Sequence, residues 1–195
     1  MSRGRKKVAF IGGTECGKST QLKLLLDVPR VAAEGRIIYD RNYQKAWSHL
    51  PEINMDQWFK MVNGFYRIAD PDFGLFYEIA KDKWKRGWKG TIGHEDAGED
   101  LSSQKNTDVY GNIIGLRHKA TDWLGVFHSG ADTPPYILRQ MNEIVLFKTG
   151  DNWSKIADRF PDDKVEEVKK WFEWVNQSEN KFAFKRIILR ATGTL

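Results

Sequence analysis

The sequence predicts a single α/β domain in which helices flank a mainly parallel central sheet. One observation behind this is order: strand-like and helix-like segments alternate along the chain, as they do in parallel sheets. The other is length, because 195 residues suit one domain with an ordinary core. We expect residues 1–195 to form one domain, with a core of about 6–150 and with 151–195 belonging to it or packed on it.

The first predicted strand, Lys7–Ile11, leads into a glycine-rich loop and then into a helix over residues 20–26. The loop fits the pattern G-x-x-x-x-G-K-[ST] in the strand-to-helix context that this phosphate-binding motif requires. Glycines let backbone N–H groups approach a phosphate closely, and the first N–H groups of a helix are unpaired. The predicted nucleotide-binding residues are Gly12, Gly13, Thr14, Glu15, Cys16, Gly17, Lys18, Ser19 and Thr20.

Three side chains of this loop have individual expectations. Lys18 would place a positive charge on the β- and γ-phosphates, and the Ser19 hydroxyl would bind Mg²⁺. Glu15 puts a negative charge into a loop that binds phosphates. We therefore expect its side chain to point outward, where a neighbouring subunit could meet it.

The next elements follow in order. A break over residues 27–30, which contain a proline, precedes a strand over 36–40, and residues 56–62 are compatible with a helix. Residues 64–69 predict a strand, and residues 72–86 an amphipathic helix with apolar positions at helical spacing. Residues 91–97 predict a strand that ends in acidic side chains.

The second half continues the alternation. We predict a helix over 107–119, a strand over 123–128, a short helix opened by Pro134 or Pro135 and carrying Arg139, and a strand over 143–148. A short helix over 151–159 should stop before Pro161. Asp162 or Asp163 should cap the next helix, and a late strand should cover 182–189.

Adjacent acids, Glu95 and Asp96, lie at the end of the strand predicted over residues 91–97, the fourth predicted strand of the chain. Ligands of parallel sheets bind at the carboxyl ends of the strands. Hydrolysis at a phosphate loop needs one carboxylate for Mg²⁺ and one for the attacking water. We assign Glu95 to Mg²⁺ and Asp96 to the water, although the two roles could be exchanged.

Three further side chains are catalytic candidates. His128 ends the strand expected beside Lys7–Ile11, where a neutral imidazole could contact the γ-phosphate or orient the water; the alternative is a structural or exposed histidine. Arg117 and Arg139 are candidate arginine fingers, which neutralise charge on the transferred phosphoryl group, often from a neighbouring subunit. Each could equally be a surface arginine.

Composition narrows the class of protein. Cys16 is the sole cysteine, which excludes a disulfide framework and a cysteine metal cluster. No apolar run approaches the roughly 18 residues of a membrane span, so we expect a soluble intracellular protein. The net charge of +5 is compatible with a polyanionic partner. A basic and aromatic cluster over residues 81–89 could meet DNA phosphates, or could be a solvated helix end.

Together, residues 12–19, 95–97, 117–118, 125–129 and 139–148 resemble the FtsK/HerA superfamily of P-loop ATPases. Within it the chain is similar to viral genome-packaging ATPases and, next, to Zot-like phage proteins. The resemblance implies a RecA-like (ASCE) core with an extra strand between the phosphate loop and the acidic strand, which residues 64–69 could supply. Departures are the Glu-Asp order and a histidine where the family commonly has glutamine.

The resemblance also implies a function. It implies that the protein forms a ring, a hexamer or pentamer, that hydrolyses ATP with Mg²⁺. Such a ring would move double-stranded DNA through its pore, most simply to package a viral genome. A capsid or portal vertex would be its further partner, and the host cytoplasm or the virion its location.

Two alternatives remain open. A small-molecule or nucleotide kinase could use the same loop, but the sequence has no arginine-rich lid. A Zot-like assembly or secretion protein could keep the fold without catalysis, but it would carry a membrane span or an added domain.

Overall fold

The computed structural model describes residues 5–61, 63–101, 111–113, 115 and 121–190. The strands are β1 (Lys7–Ile11), β2 (Gly35–Tyr39), β3 (Phe65–Ile68), β4 (Gly90–His94), β5 (Thr121–Phe127), β6 (Glu143–Phe147) and β7 (Phe184–Ile188). The helices are α1 (Lys18–Leu26), α2 (Pro29–Ala32), α3 (Met55–Lys60), α4 (Phe73–Lys85), α5 (Ala97–Leu101), α6 (Pro135–Leu138) and α7 (Val165–Gln177). Residues 111–113 and 115 are also helical.

The strands form one seven-stranded sheet in the order β3-β2-β4-β5-β1-β6-β7. All neighbouring pairs are parallel except β6 and β7, which are antiparallel. The predicted α/β class with a mainly parallel sheet is therefore confirmed. Because β1, β4 and β5 are parallel neighbours or next neighbours, their carboxyl ends meet at one edge.

The strand order corrects one expectation. The strand between β1 and the acidic strand β4 is β5, whereas Phe65–Ile68 lies at the far edge of the sheet beyond β2. Along the chain, residues 64–69 lie between the phosphate loop and the acids. In the sheet, however, β2 pairs with β4 on one side and with β3 on the other, so β3 does not lie between β1 and β4.

Alternating side chains of β1 pack on opposite faces of the sheet. Val8 and Phe10 join Leu22 and Leu26 of α1 on one face. Ala9 and Ile11 belong to a second core on the other face, which includes the buried residues of α4 and α7. Alternate side chains of β1 are therefore buried on both faces of the sheet, as is typical of a central parallel strand. Because β1 is held by both cores, the loop that follows Ile11 has a fixed position at the carboxyl ends of the strands.

The helix α4 matches its predicted amphipathic pattern. Asp72 caps it, since its Oδ1 accepts a hydrogen bond from Leu75 N at 2.9 Å. Phe76, Ala80 and Trp84 form the buried face of this helix. Both α4 and α7 are 13 residues long.

No helix in the described part of the chain is long and apolar enough to cross a membrane.

Several local expectations differ from the structure. Residues 29–32 form one helical turn with its proline in the first turn rather than only a break. Residues 151–159 hold two short 3-10 turns, Trp153–Lys155 and Ala157–Arg159. The caps predicted for α7 are wrong, because Asp162 and Asp163 lie inside a 3-10 turn and Lys164 precedes the helix. Most of the helix predicted over 107–119 lies outside the described residues.

Candidate functional site

A cavity of about 380 Å³ opens where the carboxyl ends of β1, β4 and β5 meet. Parallel sheets bind their ligands at this edge. The cavity is lined by Thr14, Glu15, Cys16, Gly17, Lys18, Ser19, Thr20, Gln44, Glu95, Asp96, Val126, His128 and Phe182. Most of the predicted site residues therefore share one cavity.

The glycine-rich loop is anchored to the strands on both sides of β1. Gly12 N donates to Phe127 O at 3.2 Å, and Gly13 N donates to Lys148 O at 2.7 Å. A Cβ on Gly12 would lie 2.6 Å from the Phe147 Cβ, so a larger residue would collide with β6. Gly17 has a φ of +97°, which favours glycine. The two glycines that define the motif are thus required by the backbone itself.

Lys18 is buried, and its ammonium lies over the loop. Lys18 Nζ donates to Gly12 O at 2.8 Å and also to Gly13 O. Burial lowers the Lys18 pKa below its usual range, and the nearby Cys16 and Glu95 oppose this shift. The Lys18 ammonium is therefore held by two carbonyls at the start of the loop.

Glu95 is nearly fully buried, with 2% of its surface exposed. Trp47 Nε1 donates to Glu95 Oε1 at 2.7 Å, and the Ser19 hydroxyl also donates to this carboxyl. Burial raises the pKa of Glu95 to about 7, despite these two hydrogen bonds. Glu95 therefore changes its charge near neutral pH.

Ser19 and Glu95 suit a Mg²⁺ ion. A hydroxyl and a carboxylate are the oxygen ligands that Mg²⁺ prefers, and in nucleotide sites it takes its remaining ligands from phosphates and water. Within the described residues no group of three histidine, cysteine or acidic side chains is arranged to hold a metal without such help. The donor set thus fits a metal that arrives with a nucleotide.

Asp96 differs from Glu95 in its surroundings. Its Oδ2 accepts hydrogen bonds from Asn42 Nδ2 at 2.7 Å and Gln44 Nε2 at 3.0 Å, and its Oδ1 accepts one from His128 Nε2 at 2.6 Å. Burial tends to raise the pKa of Asp96, but these three donors outweigh burial and lower it. Asp96 is therefore ionised over the physiological range.

Asp96 also has an unusual backbone. Its φ of +50° places a non-glycine residue in the left-handed region, a conformation that costs on the order of 1–3 kcal/mol and is concentrated at functional sites. The three donors hold the carboxylate in that conformation. A strained backbone that is kept at this residue indicates that the placement of the Asp96 carboxylate in the cavity serves a function.

Three of the donors to the two acids, Asn42, Gln44 and Trp47, come from the segment after β2, which was not predicted to contribute to the site. Asn42, Gln44 and Trp47 follow β2, whose last residue, Tyr39, is paired with His94 of β4. Two amide side chains, Asn42 and Gln44, shortly after a predicted strand are the sequence signal that could have found part of this set. Phe182, from the segment before β7, is a further lining residue that was not predicted.

His128 lies at the end of β5, which pairs with β1 as expected. The contact that the structure describes for its ring is with Asp96, while Nδ1 is buried and has no hydrogen-bond partner. Contact with a γ-phosphate stays a prediction. His94, by contrast, is fully buried away from this cavity between Tyr77 and Asp100.

Arg139, the arginine candidate that the structure describes, is not brought to the cavity within one chain. Arg139 is exposed at the end of α6, where its Nη2 donates to Asp158 O at 3.0 Å. Arg117 lies outside the described residues. A role for either across a subunit boundary stays a prediction.

Glu15 points outward, as expected, with 84% of its side chain exposed. Its carboxylate lies 3.2 Å from Lys181 Nζ of the same chain. An ion pair this exposed contributes little to stability. Within one chain, Glu15 thus contacts the segment before β7 through Lys181.

The basic cluster over residues 81–89 is only partly a surface. Lys83 is buried, and its Nζ donates to Trp58 O at 2.7 Å and to Met61 O at the end of α3. Trp84 and Trp88 are buried as well. The exposed cations of the cluster are Lys81, Lys85, Arg86 and Lys89. Of the two interpretations given for this cluster, the exposed cations fit a solvated helix end, and Trp84 and Trp88 cannot contribute to a DNA surface because both rings belong to the core.

The raised pKa of Glu95 predicts a pH-dependent stability. The folded pKa lies above the ordinary value of 4.5, so folding favours the protonated carboxyl, and stability falls as pH rises from about 4.5 to about 7. Glu95→Gln keeps an acceptor for Trp47 but removes the charge. We expect it to become more stable than the unmodified chain as pH rises, by up to about 3 kcal/mol above pH 7, since one pKa unit corresponds to about 1.4 kcal/mol.

Urea denaturation between pH 5 and pH 8 measures this difference. Glu173→Gln, at an exposed position of α7, is the matched control and should follow the unmodified chain at every pH. A Glu95→Gln advantage that is the same at pH 5 and pH 8 would contradict the assigned cause.

Similar solved structures share this fold. The genome packaging NTPase B204 from Sulfolobus turreted icosahedral virus 2, in complex with AMPPCP, has a TM-score of 0.76 at 16% identity, over 96% of this chain and 94% of that chain. The DNA-packaging ATPase B204 from Sulfolobus Turreted Icosahedral Virus has a TM-score of 0.66 at 18% identity, over 95% and 98% of the two chains.

A third solved structure matches over a smaller part. EssC (ATPases 2 and 3) from Geobacillus thermodenitrificans has a TM-score of 0.54 at 13% identity, over 77% of this chain and 34% of that chain. No protein-family model and no curated protein matches the sequence. The similarity in structure, together with the strand order, shows the RecA-like P-loop NTPase fold that the sequence resemblance implied.

Proposed function

We propose that this chain is an ATP-hydrolysing motor that packages viral double-stranded DNA. The observation that carries the proposal is the convergence of the phosphate loop, the Glu95-Asp96 pair and His128 on one cavity. The fold is shared over 96% of the chain with a protein described as a genome packaging NTPase. The further parts of the proposal are a homo-oligomeric ring, a capsid or portal vertex as partner, and a place in the host cytoplasm or the virion.

The loop and Lys18 bind the triphosphate in this mechanism. Backbone N–H groups of residues 14–19 surround the β-phosphate, whereas Gly13 N stays bonded to Lys148 O, and Lys18 Nζ leaves the carbonyls of Gly12 and Gly13 for phosphate oxygens. A phosphate carries full negative charge, whereas a carbonyl is only a dipole, so the exchange is favourable. Lys18 then neutralises charge that accumulates on the phosphoryl group during transfer.

Ser19 and the ionised Glu95 would hold Mg²⁺, which supplies charge neutralisation between the β- and γ-phosphates. Asp96 accepts the proton of the attacking water as general base. Asn42, Gln44 and His128 orient its carboxylate and keep it ionised. The two acids thus have separate tasks, in the order first assigned from their positions.

The same three donors also leave room for the attacking water at the Asp96 carboxylate. A carboxylate accepts about four hydrogen bonds, and three are present here. One acceptor site therefore remains for the water, and an arginine from a neighbouring subunit, Arg117 or Arg139, would complete the charge balance at the γ-phosphate.

The proposal predicts that double-stranded DNA stimulates ATP hydrolysis by the assembled protein. Contacts to phosphates release counterions, so DNA binding should weaken by about 10³-fold or more between 50 mM and 200 mM salt if six or more phosphates are contacted. ATPase rates with and without DNA, alongside solution mass, measure both parts.

A nucleotide kinase would behave differently in that experiment. It would consume ATP only when a small acceptor is added, and DNA would leave its rate unchanged. Hydrolysis that ignores DNA in an oligomer of the expected size would overturn the motor proposal while leaving the ATPase intact.

A further inference from the structure

A second cavity adjoins the phosphate loop on the side away from the two acids. Its volume is about 300 Å³, and it shares Cys16, Gly17, Thr20 and Phe182 with the first cavity. Its other lining residues are Gln21, Phe147 and Phe184. In the sheet, β4 and β5 lie on one side of β1, and β6 and β7 lie on the other. The phosphate loop therefore stands between the acids and an aromatic cavity.

Three phenylalanines form the wall of this aromatic cavity. Phe147 of β6 is fully buried, and its ring centroid lies 5.5 Å from that of Phe184 of β7. Phe184 is 40% exposed and Phe182 is 59% exposed. Phe182 Cδ1 would lie 3.5 Å from a Cβ placed on Gly17. An aromatic face is thus presented to solvent directly beside the loop that binds phosphates.

Phe182 belongs to a segment that is fixed to the rest of the domain. Lys148 Nζ donates to Ser178 O, and Thr149 N donates to Asn176 Oδ1 at 2.9 Å. Phe182 N donates to Asn180 Oδ1 at 2.9 Å. These bonds fix the backbone that carries Phe182 before any ligand binds, so no loop has to be ordered when the base arrives.

We propose that the aromatic cavity holds the purine base of the nucleotide, with the base stacked on Phe182 and bounded by Phe184. This rests on the proposed function, because hydrolysis requires the γ-phosphate at Asp96. A triphosphate with its γ end at Asp96 runs along the loop past Thr20, so its nucleoside emerges on the β6 and β7 side. An aromatic face suits a base because every base offers a π-face.

The lining also indicates how selective the base site is. Among the described residues that line the cavity, hydrogen-bonding side chains are limited to Thr20, Gln21 and Cys16, and the Cys16 thiol already donates to Gly13 O at 3.1 Å. Strong discrimination requires buried polar groups that the wrong base would leave unpaired. We therefore expect adenine and guanine nucleotides to bind within about tenfold of each other.

The test compares a nucleotide with a ligand that has no base. Calorimetry on the full chain with Mg²⁺ measures the affinity for AMPPCP, for GMPPCP and for inorganic tripolyphosphate. We expect Phe182→Ala to weaken AMPPCP and GMPPCP by roughly 5- to 150-fold, the range of base–aromatic stacking, and to leave tripolyphosphate unchanged. Phe182→Trp should keep nucleotide affinity, because it keeps an aromatic face.

Trp174→Ala is the matched control, because Trp174 is an exposed aromatic residue of α7 that does not line either cavity. It should leave all three affinities unchanged. An equal loss of nucleotide and tripolyphosphate in Phe182→Ala would show that the ring supports the loop, and no loss at all would show that the base lies elsewhere; either result overturns the inference. If the unmodified chain binds neither AMPPCP nor tripolyphosphate, the proposed nucleotide site itself fails.

Discussion

Replacing Asp96 with asparagine is expected to lower the ATP hydrolysis rate by about 10²- to 10⁴-fold, the usual contribution of a general base. Asparagine has nearly the same shape as aspartate, but its amide cannot accept a proton from water. Its amide group also places a donor where Asn42, Gln44 and His128 now donate to oxygen. The loss should therefore appear in the chemical step, as a lower kcat measured by phosphate release.

Nucleotide binding separates this role from that of Glu95. Asp96→Asn should bind ATP with Mg²⁺ as tightly as the unmodified chain, because Ser19 and Glu95 are unchanged. Asp163→Asn, at an exposed position before α7, should keep full activity. If Asp96→Asn loses its Mg²⁺-dependent binding instead, the two acids have exchanged roles.

The opposite charge behaviour of the two acids follows from their donors. Glu95 is held by Trp47 and Ser19 in a nearly closed environment, so burial dominates and its pKa rises to about 7. Asp96 is one residue away, yet its three donors lower its pKa. Neighbouring carboxyls with opposite pKa shifts are typical of sites in which they do different chemistry.

The sequence located the phosphate loop because all its parts are contiguous. The strand, the glycines, Lys18 and the helix start follow one another within a few residues, and local spacing is what a single sequence displays directly. The acids at 95 and 96 were found for a related reason, since they directly follow a predicted strand, at whose carboxyl end ligands bind.

Three donors to those acids were not found, because they lie far from the acids along the chain and carry no motif of their own. Asn42, Gln44 and Trp47 are separated from their carboxylate partners by 54, 52 and 48 positions. The pairing of β2 with β4 brings them together, and periodicity predicts a strand without predicting its neighbour. The same limit explains the misplaced strand over residues 64–69.

Removing the Lys18 side chain is expected to abolish most activity through a different step. Lys18→Ala deletes the positive charge closest to the β- and γ-phosphates, and removal of one such group from a transition state commonly costs about 10²- to 10³-fold in rate. It also removes charge-assisted hydrogen bonds to the bound triphosphate. We therefore expect both weaker ATP binding by calorimetry and a lower kcat/KM.

The matched control for Lys18→Ala lies in the same helix. Lys23→Ala removes a lysine from the last turn of α1, at an exposed position, and should change neither binding nor hydrolysis. Lys18→Arg tests geometry, because a buried guanidinium cannot occupy the space where Nζ now contacts Gly12 O at 2.8 Å. It should resemble Lys18→Ala although the charge is kept. A Lys18→Ala protein that hydrolyses ATP at the unmodified rate would overturn the catalytic assignment of this loop, whereas a Lys18→Arg protein with full activity would show that charge alone suffices there.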